Sequence, residues 1–525
     1  MLRKNAINGM LIVLVILGLV NSFFVTIHNI AIESDTTISV TLWNGLHQYG
    51  WNFLRDYRYS VDGWAFSIVP IHFLLFYLFG TSEHIIIIGG WIIFASILLM
   101  LNICAKQAGV TLRSRLVCLV FLSFANVATI WFCGYLAYSI CHNISILFFL
   151  IGYFFAIKYK NKTSIAAYII LNLLAAISDP WLSFAFILPM LASGAITFIV
   201  KKDNFYKNIS IASGVCFIIN VASVKTSVFG LFPYIVGTQP FEISIPIIAN
   251  KIHFITRAYG YFFQFIPEKV AHKESQDGVI LGFWIVAIIC SAVKFIAKIK
   301  EKDEKEISLY LLFLMSVFSL ILAQLMFAEV VADFSGRYII NIFLLTPFLL
   351  CIGQKCYTDK IIRCVTFAYL TFFILTSIYS SNQFWNWNGY ERSRPNAVTK
   401  ALKAEGLSFG YGLYWDAMAP TVTWINNGNP TVRGVLFDNE KKMLTNRIGW
   451  QTNAIWYKPE DLKNQPQRQF LILKNTGYND PCGDDKLAEC GDDLTKQFGI
   501  PEKVSIIGDY TIFIWNHPLS PYFIN

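Results

Sequence analysis

Residues 3–36 read RKNAINGMLIVLVILGLVNSFFVTIHNIAIESDT, and this stretch decides how the rest of the chain is placed. Arg3 and Lys4 precede an apolar run from Gly9 to Ile27, and Glu33 and Asp35 follow it. A hydrocarbon core of about 30 Å needs about 20 apolar residues as helix, which the run supplies. No small-residue cleavage site follows, because Thr26-Ile27-His28 continues directly. The run therefore reads as a retained first span and not as a removable leader.

The whole chain has this character. Of its 525 residues 55% are hydrophobic, 16% aromatic and only 14% charged, with a mean hydropathy of +0.52. A soluble domain carries about 25% charged residues, so the composition points to the bilayer. The net charge of +9 sits in short Lys/Arg clusters between apolar runs, without a basic stripe interleaved with aromatics. Such clusters orient membrane proteins, and nucleic acid is set aside as a partner.

About eleven runs have the length or near-length of a span. They lie near Gly9–Ile27, Ile85–Cys104, Leu116–Gly134, Leu136–Ile157, Ile165–Ile177, Trp181–Val200, Ile209–Val224, Val279–Ala297, Ile307–Ala328, Tyr338–Gly353 and Ile361–Tyr379. With the N-terminus in the cytoplasm, alternate loops should be basic. They contain Lys106, Arg113 and Arg115, then Lys158, Lys160 and Lys162, then Lys201, Lys202 and Lys207. Lys294, Lys298, Lys300, Lys302 and Lys305 follow, and finally Lys355, Lys360 and Arg363. The alternation holds if Trp64–Phe79, which contains Pro70 and His72, lies at the outer surface as a juxtamembrane helix. The long loops 28–84 and 227–278, the Asp179-Pro180 turn, the 329–337 turn and everything after Ser380 then share the outer side.

The expected architecture is an all-α polytopic membrane domain over residues 1–380, followed by a small α+β extracytoplasmic domain over 381–525. In that second part Phe470–Leu473, Val504–Ile507 and Thr511–Trp515 read as strands, and Asn396–Glu405 as a helix stopped by Gly406. Gly410 to Asp416 reads as strand-to-turn and not as a phosphate loop. Its aromatic residues (Trp385, Trp387, Tyr411, Tyr414, Trp415, Trp450, Trp456 and Tyr457) either fill the domain's core, sit at the membrane interface or stack on sugars. Nine of the eleven cysteines, Cys104 to Cys364, lie in or beside apolar runs, whereas Cys482 and Cys490 sit in a polar segment and are candidates for a disulfide.

Several charged residues fall at the outer boundary. Asp35 lies a few residues beyond the first span; it either solvates a helix end or serves as a base at the membrane surface. Asp62 is in the same loop. Arg337 opens a span in Ser335-Gly336-Arg337-Tyr338; it either snorkels or binds phosphate oxygens bidentately. Lys251, His253 and Arg257 lie among apolar residues, as an interfacial anchor or a second phosphate contact. Asp179 before Pro180 is a standard helix start, and an acid at membrane depth also faces a cavity or a partner.

The order of these features resembles the GT-C superfamily of membrane glycosyltransferases, which use polyprenyl-phosphate sugars. The residues concerned are Glu33-Ser-Asp35, Asp62-Gly-Trp64, Phe66-Ser-Ile-Val-Pro70-Ile-His72, Phe79-Gly80 with Glu83, and Ser178-Asp179-Pro180-Trp181. The chain looks most like the bacterial members that glucosylate O-antigen of lipopolysaccharide. By that resemblance it is an inverting transferase at the periplasmic face of the inner membrane, moving a hexose such as glucose to a surface glycan. The resemblance makes Asp35 the base with Glu33 or Asp62 as helper or substitute. Arg337, with Arg257 and Lys251, would bind the donor phosphate, and Asp179, Trp64 and Trp181 would lie near the acceptor. It implies no cofactor beyond the lipid-linked donor. No metal is expected, because the later outer loops lack an Asp-x-Asp or Glu-x-Asp signature and the single triplet Glu33-x-Asp35 is weak evidence for one, although it leaves a divalent ion open. A donor synthase and a flippase would act upstream. The rival classes are a transporter or flippase of lipid-linked glycans, which predicts charged spans and two similar halves, and an O-antigen polymerase or ligase.

Overall fold

The computed structural model describes residues 2–30, 32–59, 62–226, 244–263, 274–327, 333–353, 368–379, 390–413, 419–438, 441–445, 452–475 and 487–523. Among these, six helices are long and apolar enough to cross a membrane: Asn5–Asn29, Glu83–Gln107, Ser183–Lys201, Asn204–Lys225, Asp277–Ala297 and Glu304–Met326. Five shorter apolar helices accompany them: Ile68–Phe79, Asn143–Tyr159, Lys162–Ser178, Gly336–Ile352 and Ala368–Tyr379. The chain is a multi-pass membrane protein. Ile211, Val215 and Ile218 on one helix, and Val279, Phe283 and Val286 on another, are exposed apolar side chains at helical spacing. In a water-soluble protein such stripes would be a liability; here they face lipid.

In chain order the first part comprises α1 (Leu2–Asn29), α2 (Ile38–Tyr49), α3 (Trp51–Asp56), α4 (Ile68–Phe79), α5 (Glu83–Gln107), α6 (Leu112–Ser123), α7 (Asn143–Tyr159), α8 (Lys162–Ser178), α9 (Leu188–Lys201), α10 (Asn204–Lys225) and α11 (Ile245–Phe263). α1 packs against α5 and α6, α5 against α7, and α7 against α8. α4 has 12 residues, or about 18 Å, well short of a bilayer core. Its His72 is buried and bonds Ser39 Oγ of α2 at 2.8 Å, so it lies on α2, in keeping with a juxtamembrane helix.

The apolar sequence 116–157, expected as two helices meeting at Gly134–Leu136, is instead interrupted between Phe124 and His142. Asn126 stops the first helix: its Oδ1 accepts from Thr129 N–H at 2.9 Å and from Thr129 Oγ1 at 2.8 Å. Its amide donates to the Tyr261 carbonyl at 2.8 Å. Asn143 Nδ2 donates to the carbonyls of Leu136 and Tyr138 at 3.0 and 2.7 Å. Non-helical backbone at this depth persists only where protein groups satisfy it, and these two amides do so. Gly90 of α5 lets the segment lie close, since a Cβ there would stand 2.2 Å from the Ala137 carbonyl oxygen. Gly90→Ala is therefore expected to cost about 1–3 kcal/mol. A lower melting temperature in detergent checks this, and an unchanged one would show that the contact yields.

Three of the basic loops meet one another. Lys160 Nζ bonds Asp203 at 3.0 Å and Glu304 at 2.8 Å, and Lys201 Nζ reaches the Lys300 carbonyl at 2.8 Å. α8 runs from this contact to Ser178, so Asp179 lies about 25 Å away.

The C-terminal part is built on a six-stranded mixed sheet in the order β4-β3-β2-β6-β8-β7. The strands are β2 (Phe409–Leu413), β3 (Thr431–Asp438), β4 (Met443–Thr445), β6 (Gln469–Lys474), β7 (Lys503–Ile507) and β8 (Tyr510–Trp515). β2 runs parallel to β3 and β6, and the other pairs are antiparallel. The three strands read from sequence are present, and the helix read as Asn396–Glu405 spans Tyr390–Ala404. Gly406, at φ +65°, turns that helix into β2. The domain is tied to the first loop by β1 (Tyr57–Arg58), which pairs antiparallel with β5 (Thr452–Asn453). Asn453 Nδ2 donates to the Phe53 carbonyl at 2.7 Å, and Tyr49 OH to Asp461 Oδ1 at 2.9 Å. Tyr411 is buried in the domain's core and Tyr457 packs against it. Cys490 is buried and disulfide-bonded; Cys482, its expected partner, lies outside the described residues, as do Trp385, Trp387, Tyr414, Trp415 and Trp450.

Candidate functional site

Near the end of α1 two polar side chains bond back to carbonyls one turn earlier. Thr26 Oγ1 donates to Ser22 O at 2.7 Å and Asn29 Nδ2 to Val25 O at 2.7 Å. The chain then makes a tight polar turn. Glu33 N–H donates to Thr36 Oγ1 at 2.8 Å, Thr37 Oγ1 to Ser34 O at 2.9 Å, and Ile38 N–H to Asp35 O at 3.1 Å, which starts α2. Ser34, Thr36 and Thr37 are buried, whereas Asp35 is half-buried on the turn they fix. Glu33 accepts a hydrogen bond from Tyr138 OH, from the irregular segment before α7.

Two charged groups from outside the turn, Asp62 and Arg337, act on it. The Asp35 carboxyl is held well above its ordinary value, first by desolvation and then by the Glu33 and Asp62 carboxylates, with Arg337 opposing them. Burial also raises Asp62, with His142 and Arg337 lowering it and Asp179 raising it. These groups thus act on one another electrostatically, and His142 and Asp179 are in direct contact at 3.0 Å.

Arg337 is positioned by a close approach. A Cβ on Gly336 would stand 2.3 Å from Cys133 Sγ, so the Asp333–Ile339 turn packs directly on the interrupted segment. Its guanidinium lies 5.6 Å from the Tyr135 ring and 5.1 Å from the Tyr338 ring. Nη2 donates to Tyr338 OH at 3.2 Å. Trp181 Nε1 donates to the Tyr338 carbonyl at 2.9 Å, which joins this turn to the start of the next helix.

Asp179 has two tasks. Its Oδ1 accepts from Trp181 N–H at 3.2 Å, the capping role expected from Asp179-Pro180. Its Oδ2 lies 3.0 Å from His142 Nδ1 and accepts from Ser145 Oγ at 2.7 Å. His142 is buried and stacks on Trp181 with centroids 4.5 Å apart; Trp64 lies 6.0 Å away. Trp64, at φ +57°, donates its N–H to Ser178 O at 3.2 Å, and Phe66 N–H to Ser178 Oγ at 2.9 Å, which seats the Asp62 loop on α8. Turns of π-helix at Ala128–Phe132 and Ser183–Ile187 flank the cluster, a distortion frequent at functional sites.

The structure thus gathers Asp35, Glu33, Asp62, Arg337, Asp179, Trp64 and Trp181. It adds His142, Tyr135 and Tyr138, which sequence reasoning missed. Lys251 is placed differently: it is buried and its Nζ donates to the Leu325 carbonyl at 3.1 Å, capping a helix end. Arg257 donates to Tyr261 OH at 3.1 Å, one turn along α11, which packs against the Arg337 turn. Among the described residues no group of three His, Cys, Asp or Glu is arranged to hold a metal.

The cluster combines an acid raised above its usual range with an arginine over aromatic rings, between juxtamembrane elements and helix ends. That set can accept a proton and bind an anion at one place. No protein-family model matches the chain, and no curated protein matches it significantly.

Proposed function

We propose that the chain is a membrane glycosyltransferase of the GT-C type that moves a hexose, such as glucose, from a polyprenyl-phosphate donor to a surface glycan such as O-antigen. The reaction takes place on the periplasmic side of the bacterial inner membrane, where the 381–525 domain sits. What supports this reading is an acid just past the end of the first span, Asp35, whose carboxyl feels the Arg337 guanidinium, itself held over Tyr135 and Tyr338 on the turn that packs on the interrupted segment. Asp35 takes the proton of an acceptor hydroxyl, whose oxygen attacks the anomeric carbon with inversion. The bond to the phosphate oxygen breaks, and Arg337 stabilises the charge gained by the lipid phosphate. A lipid leaving group explains why the site belongs at a membrane surface. Asp62 assists, and His142, held by Asp179, orders the loop around it.

Incubating the purified chain, reconstituted in sealed vesicles, with polyprenyl-phosphate [14C]glucose and delipidated O-polysaccharide tests this. Label in the polysaccharide supports a transferase. Label that crosses the bilayer while still on lipid supports the flippase alternative, and extension of the polysaccharide without use of the donor supports a polymerase or ligase.

The pH dependence follows from the local charges. The base works deprotonated, so transfer rises with pH through the Asp35 pKa, which lies above the ordinary value of 3.8. Glu33→Gln removes a neighbouring negative charge, favours the carboxylate and moves the midpoint to lower pH. A pH–rate profile of both proteins checks it; an unmoved midpoint would mean that Glu33 does not act on the titrating group.

A further inference from the structure

Between α2 and the C-terminal domain lies a cavity of about 550 Å³, within the ~300–1,000 Å³ usual for small-molecule sites. Thr41, Asn44 and Gln48 of α2 line one wall. Their spacing of three and four residues puts them on a single helix face. Asn427, Asn464 and Gln465 of the C-terminal domain line the cavity as well. Asn44, Gln48, Asn427 and Asn464 are exposed, so their amides meet whatever enters.

The charges lining it cancel. Arg433 pairs with Asp461 and donates to the Trp456 carbonyl, and both partners line the cavity. Arg433 is only 4% exposed, and its Nε has no hydrogen-bond partner among the described residues. An uncharged lining of carboxamides offers donors and acceptors together, the combination that sugar hydroxyls also carry. Trp424 and Trp456, both partly buried, add flat apolar faces of the kind that stack on pyranose rings. An acidic or phosphorylated ligand would need a cation not already neutralised, and among the described residues the lining supplies none.

We infer that this cavity binds a neutral oligosaccharide, a few sugar units of the acceptor glycan away from the hydroxyl that reacts. The word acceptor rests on the transferase reading; the saccharide site does not. α2 links the two places, because it begins three residues after Asp35 and its polar face continues for about 10 Å from Thr41 to Gln48. A chain held along that face would enter the site with its position set by remote contacts, which contribute to orientation at the reacting centre.

Calorimetric titration of the full-length Asp35→Asn protein in nanodiscs tests this with transfer switched off. The probes are neutral hexasaccharides of glucose, galactose, mannose, rhamnose or N-acetylglucosamine, with hexagalacturonate as the acidic comparison. At least one neutral member is expected to bind and hexagalacturonate not to. The exposed double variant Asn44→Ala/Gln48→Ala and the variant Trp424→Ala, both on the Asp35→Asn background, should each weaken that binding at least tenfold. No binding of any neutral probe, a preference for hexagalacturonate, or equal affinity in the cavity variants would overturn the inference. Saccharide binding with wild-type protein that transfers no sugar would remove the transferase and leave the site standing.

Discussion

Replacing Asp35 with Asn is expected to lower kcat for sugar transfer by about 10²–10⁴-fold, the contribution of a positioned general base. The substitution keeps the shape of the side chain and leaves the turn around it bonded. Thr36 and Thr37 bond the backbone of Glu33 and Ser34, not the Asp35 carboxylate. The variant should therefore fold and insert like the wild type while losing the group that takes the proton. It also loses a half-buried negative charge that Glu33 and Asp62 disfavour, so a modest gain in melting temperature would accompany the loss of rate. Activity within threefold of the wild type would move the base elsewhere, with Asp62 next in line.

Arg337→Gln is expected to lower kcat by about 10²–10³-fold, as for removal of one group that stabilises developing charge. The effect should fall on kcat more than on KM, because the phosphate gains charge as the glycosidic bond breaks. Arg337→Lys should recover only part of the rate, since an ammonium lacks the planar fork that meets two phosphate oxygens and that here lies 5.6 and 5.1 Å from the Tyr135 and Tyr338 rings. A second signature separates this from mere misfolding. Losing the cation raises the Asp35 pKa, so the acidic limb of the pH–rate profile should move up in Arg337→Gln, opposite to Glu33→Gln. A kcat unchanged in Arg337→Gln would reduce the arginine to an interfacial anchor.

The acids at the site were legible because charge is rare in this sequence. Glu33, Asp35, Asp62 and Asp179 stand out against apolar neighbours, and the alternation of basic loops placed them together. His142 was not. It sits in Cys141-His142-Asn143-Ile144, inside a stretch whose hydropathy alone reads as span, and only the fold shows that the stretch is irregular there. Asn126, His142 and Asn143 were the available signal, three polar residues where a lipid-facing helix would carry none. Lys251 misled for the complementary reason: a cation on an apolar face can serve a neighbouring helix end as well as a ligand, and here it bonds Leu325. β3 was overlooked because Arg433 and Gly434 interrupt its apolar alternation. The pairing of β1 with β5 joins residues some 400 positions apart, which no local pattern encodes. The cavity formed there was invisible for the same reason.

The central claim is a one-sided site built around Asp35. It is tested most directly by reconstituting the chain in vesicles of a single, verified orientation and offering polyprenyl-phosphate [14C]glucose and O-polysaccharide to one face at a time. The account predicts label in the polysaccharide only when both substrates are on the face that carries the 381–525 domain, and none in the Asp35→Asn protein. Transfer from the opposite face, or from neither, would contradict it.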